Sequence, residues 1–323
     1  YGIMPANGCI YLPTHSCGCH ANAKLNGFIA LTATDMPEAS GDAEGRLQKG
    51  DAYSYLEHAS SVSSEDWPVF KRDNRRSNYV PTSMPTELSQ QWSRSIEDQL
   101  TPPVVADNKL FLASQDSCQV YCQDATTGDA RWQIATESAV DSPPTYHKGR
   151  LVFGTRAGFV YALRADDGQL IWRFRAAPTD CRLTAFGRLE SLWPVHGSVL
   201  VMDDRVYCVA GRSMHLNSGL YAYSLDVNTG KVLQEVNLTA DTSVKGELRG
   251  AVLPDILVSD GDSIYMRTMR FPADDITDYQ VKGPGKHLVA NDGGLLDDTW
   301  FNSAFWVYLK SRAQMLVFDD ISA

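Results

Sequence analysis

Val120-Tyr-Cys-Gln-Asp-Ala-Thr-Thr-Gly-Asp-Ala-Arg-Trp132 aligns without a gap on Val160-Tyr-Ala-Leu-Arg-Ala-Asp-Asp-Gly-Gln-Leu-Ile-Trp172, at an offset of 40 residues. Leu220-Tyr-Ala-Tyr-Ser-Leu-Asp-Val-Asn-Thr-Gly-Lys-Val-Leu233 is a third copy carrying one extra residue, and degenerate copies stand at Gly27–Leu31 and Met315–Asp319. A turn followed by an apolar or alternating run precedes each copy: Asn7–Leu12, Asp107–Leu112, Lys148–Phe153, Asp203–Cys208 and Asp260–Tyr265. Further upstream lie Thr101-Pro-Pro-Val-Val105 and Ser142-Pro-Pro-Thr-Tyr146. A fixed period of this length marks a repeat architecture.

Each unit reads as four short strands. The runs are β-branched and aromatic, and the separators are Gly, Asp and Asn, which supply the positive φ angles of hairpin turns. One four-stranded sheet cannot bury both of its faces. Stacking such sheets radially does so and leaves only short edges, so the pattern predicts an all-β chain folded as a β-propeller of four-stranded antiparallel blades. About six blade units are visible, at 1–33 (partial), 88–133, 134–176, 195–236, 250–272 with its continuation, and 300–320 (partial). The whole of 1–323 is accordingly read as one propeller, an incomplete part of a seven- or eight-bladed ring. Residues 34–65 are expected to be a loop between blades, and 177–194 and 271–299 insertions, with a short helix at 182–191. Trp92, Trp132 and Trp172, with Gly128, Gly168 and Gly230, are the structural signature of the repeat, and the tryptophans are expected to anchor one blade on the next.

The pattern best kept at Val160 to Trp172, together with Asp66-Trp-Pro-Val-Phe-Lys-Arg-Asp73, resembles the pyrroloquinoline quinone (PQQ)-like repeat. That repeat builds the propellers of quinoprotein dehydrogenases and of BamB-type assembly lipoproteins. The resemblance implies the fold, a place in the periplasm or cell envelope, and either of two functions. One is a non-catalytic binding or scaffolding module. The other is a quinoprotein-type oxidoreductase whose cofactor site is divergent or incomplete. Enzymes of this kind hold PQQ beneath an adjacent Cys-Cys disulfide and beside calcium. The sequence contains no Cys-Cys dipeptide, so no cofactor is assigned.

Composition narrows the partners. With 29 Lys+Arg against 39 Asp+Glu the net charge is -10, which argues against nucleic-acid binding, where clustered cations must displace counterions. No apolar run is long enough for a transmembrane helix. No export signal is visible ahead of the first blade, and it is expected to have been lost with a missing N-terminus.

Two groups of residues carry candidate chemistry. His15, Cys17, Cys19 and His20, with Cys9 nearby, bring together thiol and imidazole donors, compatible with a metal, a disulfide or free thiols. Blade register places His15, Arg156, Arg212, His215 and Arg270 on one face of the disc, as candidate ligands for a protein partner or a small anion. The competing expectation is that each arginine pairs with a neighbouring carboxylate. No catalytic residue is assigned.

Overall fold

Asp107 and Asn108 take φ of 51° and 55°, Lys148 and Gly149 45° and 77°, and Asp203 and Asp204 52° and 56°. Two successive left-handed residues make the turn whose twist matches that of the strands it joins. These pairs therefore turn the chain back on itself at the first hairpin of each blade. At the second hairpin, Gly128, Gly168 and Gly230 take φ of 72°, 74° and 68°. Their amides donate to the carbonyls of Asp124, Arg164 and Asp226, each at 2.8 Å. Asp124 Oδ1 also accepts from Thr126 N at 2.9 Å and Thr127 N at 3.0 Å, so the repeated aspartate caps its turn.

The computed structural model describes residues 2–13, 28–33, 44–55, 62–185, 187–197, 199–240, 253–281, 287–290, 306–308, 311–313 and 317–318. Strands β1 (Met4–Ala6), β2 (Cys9–Leu12) and β3 (Ile29–Thr32) form a three-stranded sheet. A 3-10 turn at Glu44–Arg46 leads into β4 (Leu47–Lys49). The next sheet joins β5 (Val104–Ala106), β6 (Lys109–Ala113), β7 (Gln119–Asp124) and β8 (Ala130–Ala135) in sequence order. It is followed by β9 (Thr145–His147), β10 (Arg150–Gly154), β11 (Phe159–Arg164) and β12 (Leu170–Arg175), with β4 added at the outer edge. A separate hairpin, β13 (Arg182–Ala185) and β14 (Arg188–Ser191), precedes β15 (Leu200–Met202), β16 (Arg205–Ala210), β17 (Leu220–Asp226) and β18 (Val232–Leu238). A fourth four-stranded sheet comprises β19 (Val258–Ser259), β20 (Ser263–Met266), β21 (Met269–Pro272) and β22 (Gln280–Val281). The last strands are β23 (Val289–Ala290), β24 (Trp306–Tyr308) and β25 (Ser311–Ala313).

Among the described residues, the largest cores lie between sheets. Phe111 and Val120 of the β5–β8 sheet meet Tyr146, Leu151 and Phe153 of the next. Ile171, Trp172 and Phe174 then meet Val206, Tyr223 and Leu225. Tyr207, Val209 and Leu220 meet Ile264, Met266 and Phe271. Innermost strand β9 touches both β5 and β15, its counterparts in the flanking sheets. Sheets packed face to face about neighbouring inner strands are propeller blades. Tyrosine-rich third strands are buried because both of their faces are covered.

Three expectations are corrected. Within 34–65, read as a loop, β4 is a strand pairing Leu47 with Phe174 and Lys49 with Trp172. Residues 182–191 form the β13–β14 hairpin and not a helix, because Arg182, Thr184 and Glu190 alternate with apolar Leu183 and Leu189. Within 271–299, read as an irregular insertion, the described residues include strands β22 and β23.

The segment from Trp67 to Ser77 runs along the inner strands. Trp67 exchanges backbone hydrogen bonds with Val105, and Pro68 O accepts from Tyr146 N at 2.8 Å. Asn74 Nδ2 donates to Val201 O at 2.8 Å, and Asn74 O accepts from Ser259 N at 2.8 Å. Fully buried Arg76 ends the series, its Nη2 donating to Leu257 O at 2.8 Å. One short segment thus ties together four successive blades.

Candidate functional site

The loops joining the second and third strands of three successive blades meet under the β13–β14 hairpin. From the first, Gln115 O and Asp116 Oδ1 accept from Arg188. From the second, Arg156 Nη1 donates to Glu190 Oε1 at 2.8 Å, while Arg156 O accepts from Ser191 N at 2.9 Å. From the third, Arg212 Nη2 donates to Glu190 Oε2 at 2.6 Å and to Ser191 O at 3.1 Å. The hairpin is a strap whose single glutamate bridges two arginines.

The network extends inward. Arg156 Nε lies 3.3 Å from Asp141 Oδ2, and the same oxygen is 2.6 Å from His196 Nδ1. Asp141 Oδ1 accepts from Ser142 Oγ at 2.9 Å and from Gly197 N at 3.3 Å. Burial works against the Asp141 carboxylate, but His196, Arg156 and the Ser142 hydroxyl outweigh it and hold its pKa well below the usual range. Arg156 is also buried at cost, and Asp141 and Glu190 more than offset this, raising its pKa.

A second cluster adjoins it. Glu137 Oε1 accepts from Thr155 Oγ1 at 2.8 Å, and Oε2 accepts from Tyr161 OH. Arg173 Nη1 donates to the same phenol oxygen at 2.9 Å. Tyr161 is pushed up by burial and by Glu137, so its hydroxyl stays protonated as a donor.

The structure thus brings Arg156 and Arg212 together. His215 lies in the same loop as Arg212, its amide donating to Ser213 Oγ at 3.1 Å, outside the network. Arg270 is not in a hairpin loop: it lies within β21, opposite Tyr265, and its Nε donates to Ser263 Oγ at 2.8 Å. The turn after β20 has only two residues, Arg267 and Thr268, so the position aligned with Arg212 falls inside the next strand. His15, Cys17, Cys19 and His20 lie outside the described residues. Cys9, on β2, is a free thiol, as are Cys118, Cys122, Cys181 and Cys208. Sequence reasoning missed Asp141, Glu190 and His196. The carboxylates lie outside the repeat's conserved-looking turns, and Glu190 sits in the segment read as a helical insertion.

The sheets define a β-propeller built of PQQ-like repeats. The chain belongs to the family described as outer membrane protein assembly factor BamB, which matches residues 86–271, more than half of its length. A quinone alcohol dehydrogenase, dehydrogenase subunit, from Komagataeibacter europaeus is 24% identical over 238 residues, covering 68% of this chain and 30% of that protein. The BamB of Moranella endobia (strain PCIT) is 32% identical over 82 residues, 25% of this chain and 21% of that one. The crystal structure of the quinohemoprotein alcohol dehydrogenase from Comamonas testosteroni aligns with a TM-score of 0.41 at 20% identity, covering 53% of this chain and 27% of that one. The chain therefore spans less than a third of the length of the curated relatives it matches.

Among the described residues no group of three or more His, Cys, Asp or Glu is arranged to hold a metal ion, and no two cysteines are adjacent. The paired arginines are engaged from within by Glu190. Among the described residues no helix is long and apolar enough to cross a membrane.

Proposed function

We propose that the chain is a non-catalytic binding or scaffolding propeller of the cell envelope, presenting a strapped face to a protein or small anionic ligand. The observation that carries this reading is the Glu190 bridge. The two arginines that blade register brings to this face are locked by one carboxylate of the same chain across two blades, and Arg188 of the same strap reaches a third. Such a face is rigid and internally compensated, as a recognition surface is when its side chains are held in place beforehand. The envelope location is supported by the BamB relative, whose name places its role in outer-membrane protein assembly.

The quinoprotein-type oxidoreductase is the second reading, favoured by the match to a quinone alcohol dehydrogenase over 68% of the chain. Incubation of the purified chain with PQQ and calcium separates the two. The expected result is no near-ultraviolet absorbance retained after gel filtration and no alcohol-dependent dye reduction. Stoichiometric uptake with turnover would replace the first reading by the second. A photo-crosslinking amino acid at exposed Leu189, on the strap, should in addition yield adducts with an envelope protein.

A further inference from the structure

Burial in the Arg156 network follows charge. The side chains of Asp141 and Glu190 are 8% and 0% exposed, whereas Arg156, Arg212 and His196 retain 19%, 18% and 17%. The carboxylates form the floor, and the two arginines with His196 form the rim. Each rim group is fixed from below: His196 through Nδ1 on Asp141, Arg156 on both carboxylates, and Arg212 on Glu190 and Ser191 O. Side chains held in this way pay little further ordering entropy when a ligand arrives.

Charge counting selects the ligand. Two carboxylates balance two guanidiniums, so the cluster is neutral with His196 neutral and carries one positive charge with it protonated. His196 is seated through Nδ1 on Asp141, so its opposite ring nitrogen is a donor only in the imidazolium form. One net charge suits a monovalent oxyanion group. A polyanion would face the surrounding protein of net charge -10. Arginine forks match planar carboxylates, and each arginine here spends only one nitrogen on Glu190.

We propose that Arg156, Arg212 and His196 form a preorganised site for a single carboxylate group, from an acidic side chain of a partner or from a small organic acid. Asp141 and Glu190 are its positioning residues. The inference rests on the chain being a binding module, and it can fail separately. PQQ-dependent turnover would sink that reading without touching carboxylate binding here. Loss of carboxylate binding would remove this site and leave crosslinking at Leu189 unchanged.

The test is calorimetric titration of the whole chain at pH 6 and low salt with two probes, acetate and an acetylated, amidated Gly-Glu-Gly peptide. Binding of acetate alone assigns a small acid, and binding of the peptide alone or more tightly assigns an acidic segment; either supports the site. Arg212→Gln and His196→Gln should each weaken binding about tenfold, equivalent to about 1.4 kcal/mol, with R212K recovering part of the loss. Arg131→Gln, which removes a partner of Asp124 on β8, should leave it unchanged. Absence of binding by both probes at millimolar concentration overturns the proposal, as does wild-type affinity in R212Q and H196Q. Should R212Q melt below the assay temperature, the His196 ring resonances of the wild type decide: movement on titration supports the site, and their constancy overturns it.

Discussion

Gly230 lies flat against the indole of Trp172, where an added Cβ would stand 2.6 Å from Trp172 Cδ2, while Trp172 Nε1 donates to Val227 O at 3.0 Å. Trp132 holds Gly168 in the same way and donates to Ala165 O at 3.0 Å; Trp92 holds Gly128 and donates to Ala125 O at 3.1 Å. In each case the tryptophan precedes the blade whose turn it grips. The glycine is required twice over, by its left-handed φ and by the ring beneath it.

Gly230→Ala should therefore cost more than the roughly 1 kcal/mol of an ordinary glycine replacement. A total of about 2–3 kcal/mol is expected once the ring must move. Trp172→Ala, at a fully buried site, should cost about 3–5 kcal/mol. Urea unfolding followed by far-ultraviolet circular dichroism measures both. A loss under 1 kcal/mol in each would mean that the blades are not joined by this contact.

The repeat made the blades legible because its signals are local: a turn pair with positive φ, a tyrosine-rich strand, and a glycine spaced from a tryptophan. Arg156 and Arg212 were legible for the same reason, at adjacent positions of that repeat. Their partners were not. Glu190 reaches them from a hairpin without repeat equivalents, and Asp141 from the approach to β9, and only the assembled disc brings these together. Strand β4 escaped notice because its residues, Leu47-Gln-Lys49, alternate over too short a span to stand out from a polar segment.

Glu190→Gln tests the strap. The glutamine keeps shape and hydrogen-bonding capacity but leaves two guanidiniums over a buried neutral group. Removing one partner of a buried pair costs about 3–5 kcal/mol, and here the lower end applies because both arginines keep some contact with water. Limited proteolysis should then cut within 182–191 before any blade is lost. Wild-type resistance in E190Q would show that Arg188 and Ser191 suffice to hold the strap.

Strand β4 depends on one close approach and one wedge. A Cβ on Gly50 would lie 2.0 Å from Leu170 O, so Gly50→Ala must displace the strand from β12. Arg46 inserts between two blades, with Nη2 at 2.6 Å from Glu235 Oε2 and Nη1 at 3.0 Å from Tyr223 OH. Arg46→Ala should cost about 2–3 kcal/mol, through lost packing on Phe174 and Tyr223 as much as lost charge. Hydrogen exchange at Gly50 and Ala52, whose amides bond to Ile171 and Leu170, should accelerate in both variants while Val206 stays protected.

The thiols divide by burial. Burial pushes Cys122 up to about 12 and raises Cys208 as well. At pH 8 the Cys122 thiolate fraction is then roughly 10⁻⁴, four decades below its pKa, and the thiolate is the reactive form. Iodoacetamide at that pH should leave Cys122 and Cys208 unmodified in the native chain, by peptide mass mapping, and modify half-buried Cys181. Labelling of Cys122 at the rate of Cys181 would show that the space between the first two full blades opens.

Asp141 sets the acid limit of the face. Its folded pKa lies below the unfolded value of about 3.9, because His196, Arg156 and Ser142 overcome the burial that opposes its charge. The folded state therefore binds its proton less readily than the unfolded chain. Stability from this group is complete above about pH 4 and is lost as pH falls through the unfolded value toward the folded one. Asp141→Asn removes that dependence and costs about 2–4 kcal/mol at pH 7, since His196 and Arg156 lose a shared partner. Chemical unfolding at pH 7 and pH 3 should show the wild type losing more stability on acidification than D141N. Equal losses would place the acid sensitivity elsewhere, in the exposed aspartates of the turns, and would mean that the buried carboxylate does not govern how the cations above it are held.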